Sequence, residues 1–166
     1  MFTDLESSYE LLMFNVLAYT AIQIARIFYD AYIPKAWLDP DLKLFHSYAW
    51  EDNGRIYERL FHISRWKDYL PTVSSPTHFD KTHFTSLDED YIKQFIWELN
   101  MAESHHLRSI ITCLVFALWN PLDMFLFVFT VNVLIHLPFI MIQRYNRPRL
   151  RHILSEVQTR ATLASA

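Results

Sequence analysis

With one cysteine and one glycine in 166 residues, the chain has few means to several common ends. Cys113 alone cannot close a disulfide within the chain, so cysteine usage leaves the redox compartment undecided. A single glycine, Gly54, excludes glycine-rich phosphate loops, and no Walker or dinucleotide fingerprint is present. Neither HExxH nor a paired Cys/His spacing occurs, so the eight histidines do not spell out a metal site and none is expected. A net charge of -3 gives no reason to expect nucleic acid. Apolar residues, by contrast, are abundant. Hydrophobic residues make up 52% and aromatics 16%, above the roughly 45 to 50% apolar content of soluble domains.

Two stretches, "YELLMFNVLAYTAIQIARIFY" and "MFLFVFTVNVLIHLPFIMI", are each long enough for a membrane-crossing helix of about 20 residues. A third run, Ser109 to Trp119, is short and crosses only if the helix carries the polar stretch Asn100 to Arg108 into the headgroup zone. The expected fold is all-α, an integral membrane helical bundle of about three transmembrane or half-spanning helices plus an interfacial amphipathic helix. Within a single membrane domain, 1–29 reads as an N-terminal anchor helix and 30–87 as a cytoplasmic or interfacial region. A long helix over 88–119, half wet and half buried, leads to the last span, 121–143, and a basic tail, 144–166. Lysines and arginines follow the first span but do not precede it, which by the positive-inside rule places the central region and C-terminus in the cytoplasm. Without a basic n-region or a small-residue cleavage motif, the first span reads as an anchor rather than a removed signal.

In the central region, "GRIYERLFHISRWKDYLP" puts Ile56, Tyr57, Leu60, Phe61 and Ser64 on one helical face, with Trp66 and Lys67 suited to the lipid boundary. Pro76 stops helix formation in the loop that follows, and "SLDED" from Ser86 supplies a capping start for the next helix.

Glu103 and His106 lie one helical turn apart, with Glu98 on the same half of the wheel. A carboxylate that orients an imidazole is the usual equipment for taking a proton from an alcohol. The same residues would also suit the wet half of a helix that merely faces headgroups. In the last span, Asn132, His136 and Gln143 form one polar stripe, either holding helices together or walling a substrate cleft that a kink at Pro138 would open. "QRYNRPRLRH" then packs four arginines into ten residues. They read either as positive-inside anchors for anionic lipid or as planar forks for phosphate.

Taken together, "QRYNRPRL" at Gln143 to Leu150, "W-K-x-x-L-P" at Trp66 to Pro71 and "E-x-x-x-A-E-x-x-H" at Glu98 to His106 resemble the glycosyl-4,4'-diaponeurosporenoate acyltransferase family of bacterial staphyloxanthin-type carotenoid pathways. "W-E-x-x-G" at Trp50 to Gly54 and "F-D-x-x-H" at Phe79 to His83 fall in the same order. The resemblance implies transfer of a fatty acyl group to a sugar hydroxyl of a glycosylated isoprenoid in the bacterial cytoplasmic membrane, and the positive-inside pattern puts the active face on the cytoplasmic side. The resemblance also implies Glu98, Glu103 and His106 as the acid-base group, Asp80 and His83 as supports, and Gln143, Arg144, Asn146 and Arg147 as a binding cluster.

The mechanism expected from these residues has His106, oriented by Glu103, deprotonate the sugar hydroxyl, which attacks an acyl thioester directly. No cofactor is needed beyond acyl-CoA or a similar activated donor. The donor's phosphates would dock on Arg144, Arg147 and Arg149, and the oxyanion would meet Asn146, His136 or Lys67. The expected partners are a lipid substrate and the acyl donor, with the oligomeric state open. Two rivals stand beside this reading: a hydrolase or transferase acting on lipid phosphates, and a non-catalytic lipid-binding membrane protein.

Overall fold

The computed structural model of the chain describes residues 2–30, 32–39, 41–70, 79 and 83–164. Four α-helices carry the fold: α1 (Phe2–Asp30), α2 (Arg55–Phe61), α3 (Glu89–Cys113) and α4 (Leu122–Ala164). Short 3-10 turns fill the connections, and no strand occurs among the described residues. The chain divides into two compact units, Met1–Ile33 with His105–Leu137, and Pro34–Ser104 with Pro138–Ala166.

α1 forms because nothing between Phe2 and Asp30 breaks a helix; neither proline nor glycine occurs there. α3 starts where Asp88 Oδ2 accepts the backbone N–H of Tyr91 at 3.1 Å, satisfying one of the orphan donors of a first turn. The helix expected over 88–119 is α-helical only to Cys113 and tightens into a 3-10 turn over Leu114–Leu118. Pro121 disfavours α geometry just ahead of it, and Asn120 Nδ2 donates to the Phe116 carbonyl at 2.8 Å, closing the turn.

α4 continues as one helix from the apolar run through the arginines to Ala164, with Pro138 and Pro148 inside it. Each proline gives up one backbone donor without ending the helix. The amphipathic segment is shorter than expected: α2 stops at Phe61, and His62 takes a left-handed conformation with φ 49°. On its expected apolar face Tyr57 is buried, whereas Leu60 and Phe61 are exposed.

Of the expected bundle of about three spans, one helix meets the length and composition of a crossing. Among the described residues, only α4 contains a stretch long and apolar enough to cross a membrane. At 43 residues α4 is about twice the length one crossing needs, so its polar C-terminal part lies beyond any single span.

The first unit is inverted relative to a soluble domain. Phe14, Leu17, Ile24, Leu118, Leu122, Phe127 and Leu134 are exposed, while Asn15, Arg26, Ser109, Asn132 and His136 are buried. The second unit has ordinary apolar cores. Ile92, Phe95, Ile96 and Leu99 of α3 gather around Leu150 of α4. A second cluster joins Tyr57 and Ile63 to Met141 and Tyr145, with Trp66 packed against it.

Candidate functional site

Two groups of buried polar side chains stand out, one in each unit. In the first unit, Asn15, Tyr19, Gln23 and Arg26 follow one another at intervals of four, four and three, along one face of α1. Asn15 exchanges hydrogen bonds with Asn120 and accepts the Trp119 indole N–H at 2.9 Å. Gln23 donates to Ser109 at 2.7 Å, and Arg26 donates to the His105 carbonyl. Between them, Tyr19 Oη lies 3.1 Å from His136 Nε2 and accepts from Asn132 Nδ2 at 3.1 Å.

His136 Nδ1 in turn lies 2.9 Å from His106 Nδ1. Two imidazole nitrogens at that distance share a single proton, so one ring donates and the other accepts. The tautomers of His106, His136 and Tyr19 are therefore linked. If His106 donates through Nδ1, its Nε2 is the unprotonated ring nitrogen, which is the form a general base needs.

In the second unit the centre is Arg144. Its guanidinium donates to both oxygens of Glu51, to Glu103 Oε1 at 2.6 Å, and to the carbonyls of Leu44 and His46. Arg147 donates to the other oxygen of Glu103 and to the Phe45 carbonyl at 3.1 Å. The two arginines lie over the rings of Tyr48 and Phe45 respectively. All four charged side chains are nine-tenths or more buried, and their formal charges cancel.

Glu51 also accepts the Tyr57 hydroxyl at 2.5 Å and the Tyr48 backbone N–H at 2.7 Å. Burial opposes ionisation of Glu51, but hydrogen bonds from Arg144, Tyr57 and Tyr48 outweigh it and hold the carboxyl below its ordinary value. Burial and the bond to that carboxylate push the Tyr57 hydroxyl up, so it remains a donor.

The turn that delivers Glu51 explains the lone glycine. Asp52, Asn53 and Gly54 all have left-handed backbone, φ 49°, 52° and 82°. Aspartate, asparagine and glycine are the residues that tolerate it. A Cβ on Gly54 would lie 3.0 Å from the Arg144 carbonyl oxygen and 3.2 Å from Tyr145 Cα, so α4 passes too close for any side chain.

Beside this cluster a cleft of about 750 Å³ opens, bordered by the 45–55 segment and by residues 144–152 of α4. Among the described residues it is lined by five arginines, Arg55, Arg144, Arg147, Arg149 and Arg151, against one carboxylate, Glu51.

The sequence of α4 brings Gln143, Arg144 and Arg147 into buried positions, with Asn146 half-buried and Arg149 exposed over the Tyr145 ring at 3.5 Å. Glu98 is fully buried in α3 and accepts from Gln94 at 3.1 Å. The described bonds of Glu103 run to the two arginines, and the described bond of His106 runs to His136. Trp66 donates its indole N–H to the Phe61 carbonyl, Lys67 pairs with Asp68, and His83 is exposed, its carbonyl accepting from Tyr91. Asp80 lies outside the described residues. Sequence reasoning passed over Tyr19 and Glu51. The four-residue polar rhythm of α1 signals the first, and the acidic residue just ahead of the "DNG" turn signals the second.

The model of the glycosyl-4,4'-diaponeurosporenoate acyltransferase family matches residues 41–156, which hold the whole arginine and carboxylate cluster and both histidines of the pair. The chain belongs to this family. It is 34% identical over 110 residues to the glycosyl-4,4'-diaponeurosporenoate acyltransferase of Staphylococcus haemolyticus strain JCSC1435, covering 65% of this chain and 64% of that protein. The match thus spans just under two thirds of that relative's length. To the protein of the same name from Staphylococcus aureus strain N315 it is 27% identical over 130 residues, 77% of this chain and 78% of the other. No solved structure matches the chain. Tyr19 and the rest of α1 precede the segment that matches the family.

Proposed function

We propose that the protein transfers a fatty acyl group from an activated thioester to a sugar hydroxyl of a glycosylated isoprenoid or a related glycolipid, in the bacterial cytoplasmic membrane and toward its cytoplasmic face. Family membership over residues 41–156 is the observation that carries this reading. The inverted first unit supports the location, since apolar side chains facing outward and polar ones inward suit lipid rather than water.

In the reaction the sugar oxygen attacks the thioester carbonyl. The new C–O bond forms, the C–S bond breaks, and the hydroxyl proton passes through His106 to the departing thiolate. The bond to His136 suits His106 to this work, because it fixes the ring and, with Nδ1 as the donor, makes Nε2 the basic nitrogen. Glu103 acts through Arg144 and Arg147: with both oxygens held by guanidiniums, it positions that cluster and α3 rather than taking a proton itself.

Purified His106→Gln protein, given a glycolipid acceptor and an acyl thioester, tests the assignment by mass spectrometry of the ester product. Loss of transfer with an unchanged melting temperature is expected; transfer near the wild-type rate removes His106 from the mechanism. The arginine-lined cleft favours one alternative, an enzyme acting on a lipid phosphate. The same mass spectra separate the two, as a gained fatty ester or a lost phosphate.

A further inference from the structure

The cleft in the second unit gathers five guanidiniums against one lining carboxylate among the described residues. Arg144 and Arg147 form its floor, already matched by Glu51 and Glu103. Arg55 on the rim faces Asp52 at 2.9 Å and is largely exposed. Arg149, which donates to the Tyr145 carbonyl and lies over its ring, and Arg151, which lies in the field of the Asp41 carboxylate, add two more guanidiniums, with His46 and His152 beside them. Among the described residues the lining carboxylate is Glu51, whose oxygens are taken by Arg144, Tyr57 and the Tyr48 N–H. Arg147 Nε, buried in the floor, makes no hydrogen bond to a described residue. A cleft of about 750 Å³ is far larger than one phosphate and within the range that holds a nucleotide-sized ligand.

We propose that this cleft is a diphosphate site, in which Arg55, Arg149 and Arg151 grip the phosphoryl oxygens above a floor of Arg144 and Arg147, with His46 and His152 at the mouth. Planar guanidinium forks bind phosphoryl oxygens in pairs, and several converging forks favour a polyanion over a single carboxylate. The arginines therefore divide by role. Arg144 and Arg147 are spent inside the fold and shape the site, whereas Arg55, Arg149 and Arg151 meet the ligand. That the diphosphate belongs to the acyl donor rests on the acyl-transfer reading; the binding itself does not.

The test uses the full chain in phosphatidylcholine nanodiscs, titrated with inorganic pyrophosphate and orthophosphate, and compared with nanodiscs containing phosphatidic acid. Pyrophosphate is expected to bind more tightly than orthophosphate, and R149Q/R151Q, changed at the rim of the cleft, to weaken it by about tenfold or more. A stabilisation by phosphatidic acid that the same variant abolishes, with pyrophosphate binding no more tightly than orthophosphate, assigns the cleft to a lipid monophosphate and overturns the diphosphate reading. Should R149Q/R151Q fail to fold, R55Q on an exposed side chain carries the comparison. No binding of either phosphate probe, or binding unchanged in the variants, overturns the proposal. Pyrophosphate binding that persists while His106→Gln keeps full acyl transfer overturns the base assignment and leaves the diphosphate site standing.

Discussion

Arg144 donates to Glu103, 41 residues earlier in the chain, at 2.6 Å, and the same guanidinium holds both oxygens of Glu51. One side chain thereby ties α3, α4 and the 43–51 segment into the wall of the cleft. A buried charge so fully bonded is strongly destabilising to remove from one side, by about 3 to 5 kcal/mol. Arg144→Ala is expected to lose stability of that order in chemical unfolding. Arg144→Lys recovers only part of it, because an ammonium cannot present five donors in one plane. Equal unfolding midpoints for Lys and wild type would show that charge, not the fork, holds the cluster.

Gly54→Ala strikes the same wall from the other side. The added methyl meets the Arg144 carbonyl at 3.0 Å in a residue already at φ 82°. Left-handed backbone alone costs an alanine about 1 kcal/mol, and the clash with α4 adds to it. The melting temperature should fall, and buried Cys113 serves as a control: its maleimide labelling should stay slow if the loss is local to the turn. Fast labelling would mean that the turn is needed for the whole fold.

Acid should loosen the cluster through Glu51. Its folded carboxyl lies below the ordinary value of 4.5, so the fold favours the ionised form. That contribution is complete above 4.5 and is lost as pH falls beneath it, through the folded value. Glu51→Gln should therefore make the acid limb of a stability against pH curve shallower. Some slope remains, because Glu58, through its bonds from Ser64, and Glu89, through Lys93, are also held low. An unchanged limb would place the acid sensitivity elsewhere.

Tyr19→Phe removes the hydroxyl that meets both His136 and Asn132. Hydrogen bonds between helices in lipid average roughly 0.6 kcal/mol and reach about 1.7, so a small loss of stability is expected. A cycle with Asn132→Leu isolates the Tyr19 to Asn132 bond. A loss of several kcal/mol for Tyr19→Phe would mean that the hydroxyl holds the histidine pair itself together.

The exposed apolar side chains of the first unit, among them Leu126, Phe127, Leu134 and Ile135, predict that the protein stays with membranes after alkaline carbonate extraction and leaves them only in detergent. Recovery in the carbonate supernatant would sink the bilayer location.

Helix content and the helical placement of the candidate site residues were legible in the chain, because periodicity and local charge are local properties. The apolar run of α4, the helix carrying Glu98, Glu103 and His106, and the arginines from Arg144 to Arg151 follow from residue types at helical spacing. Partner choice is not local. Glu103 and His106 sit one turn apart, yet their described bonds go to Arg144, Arg147 and His136 on another helix. A side chain satisfies its polar atoms with whatever the packing brings within about 3 Å, and spacing along one helix cannot say what that will be. The need for glycine at position 54 was decided in the same way, by the approach of α4 across the fold rather than by anything along the chain.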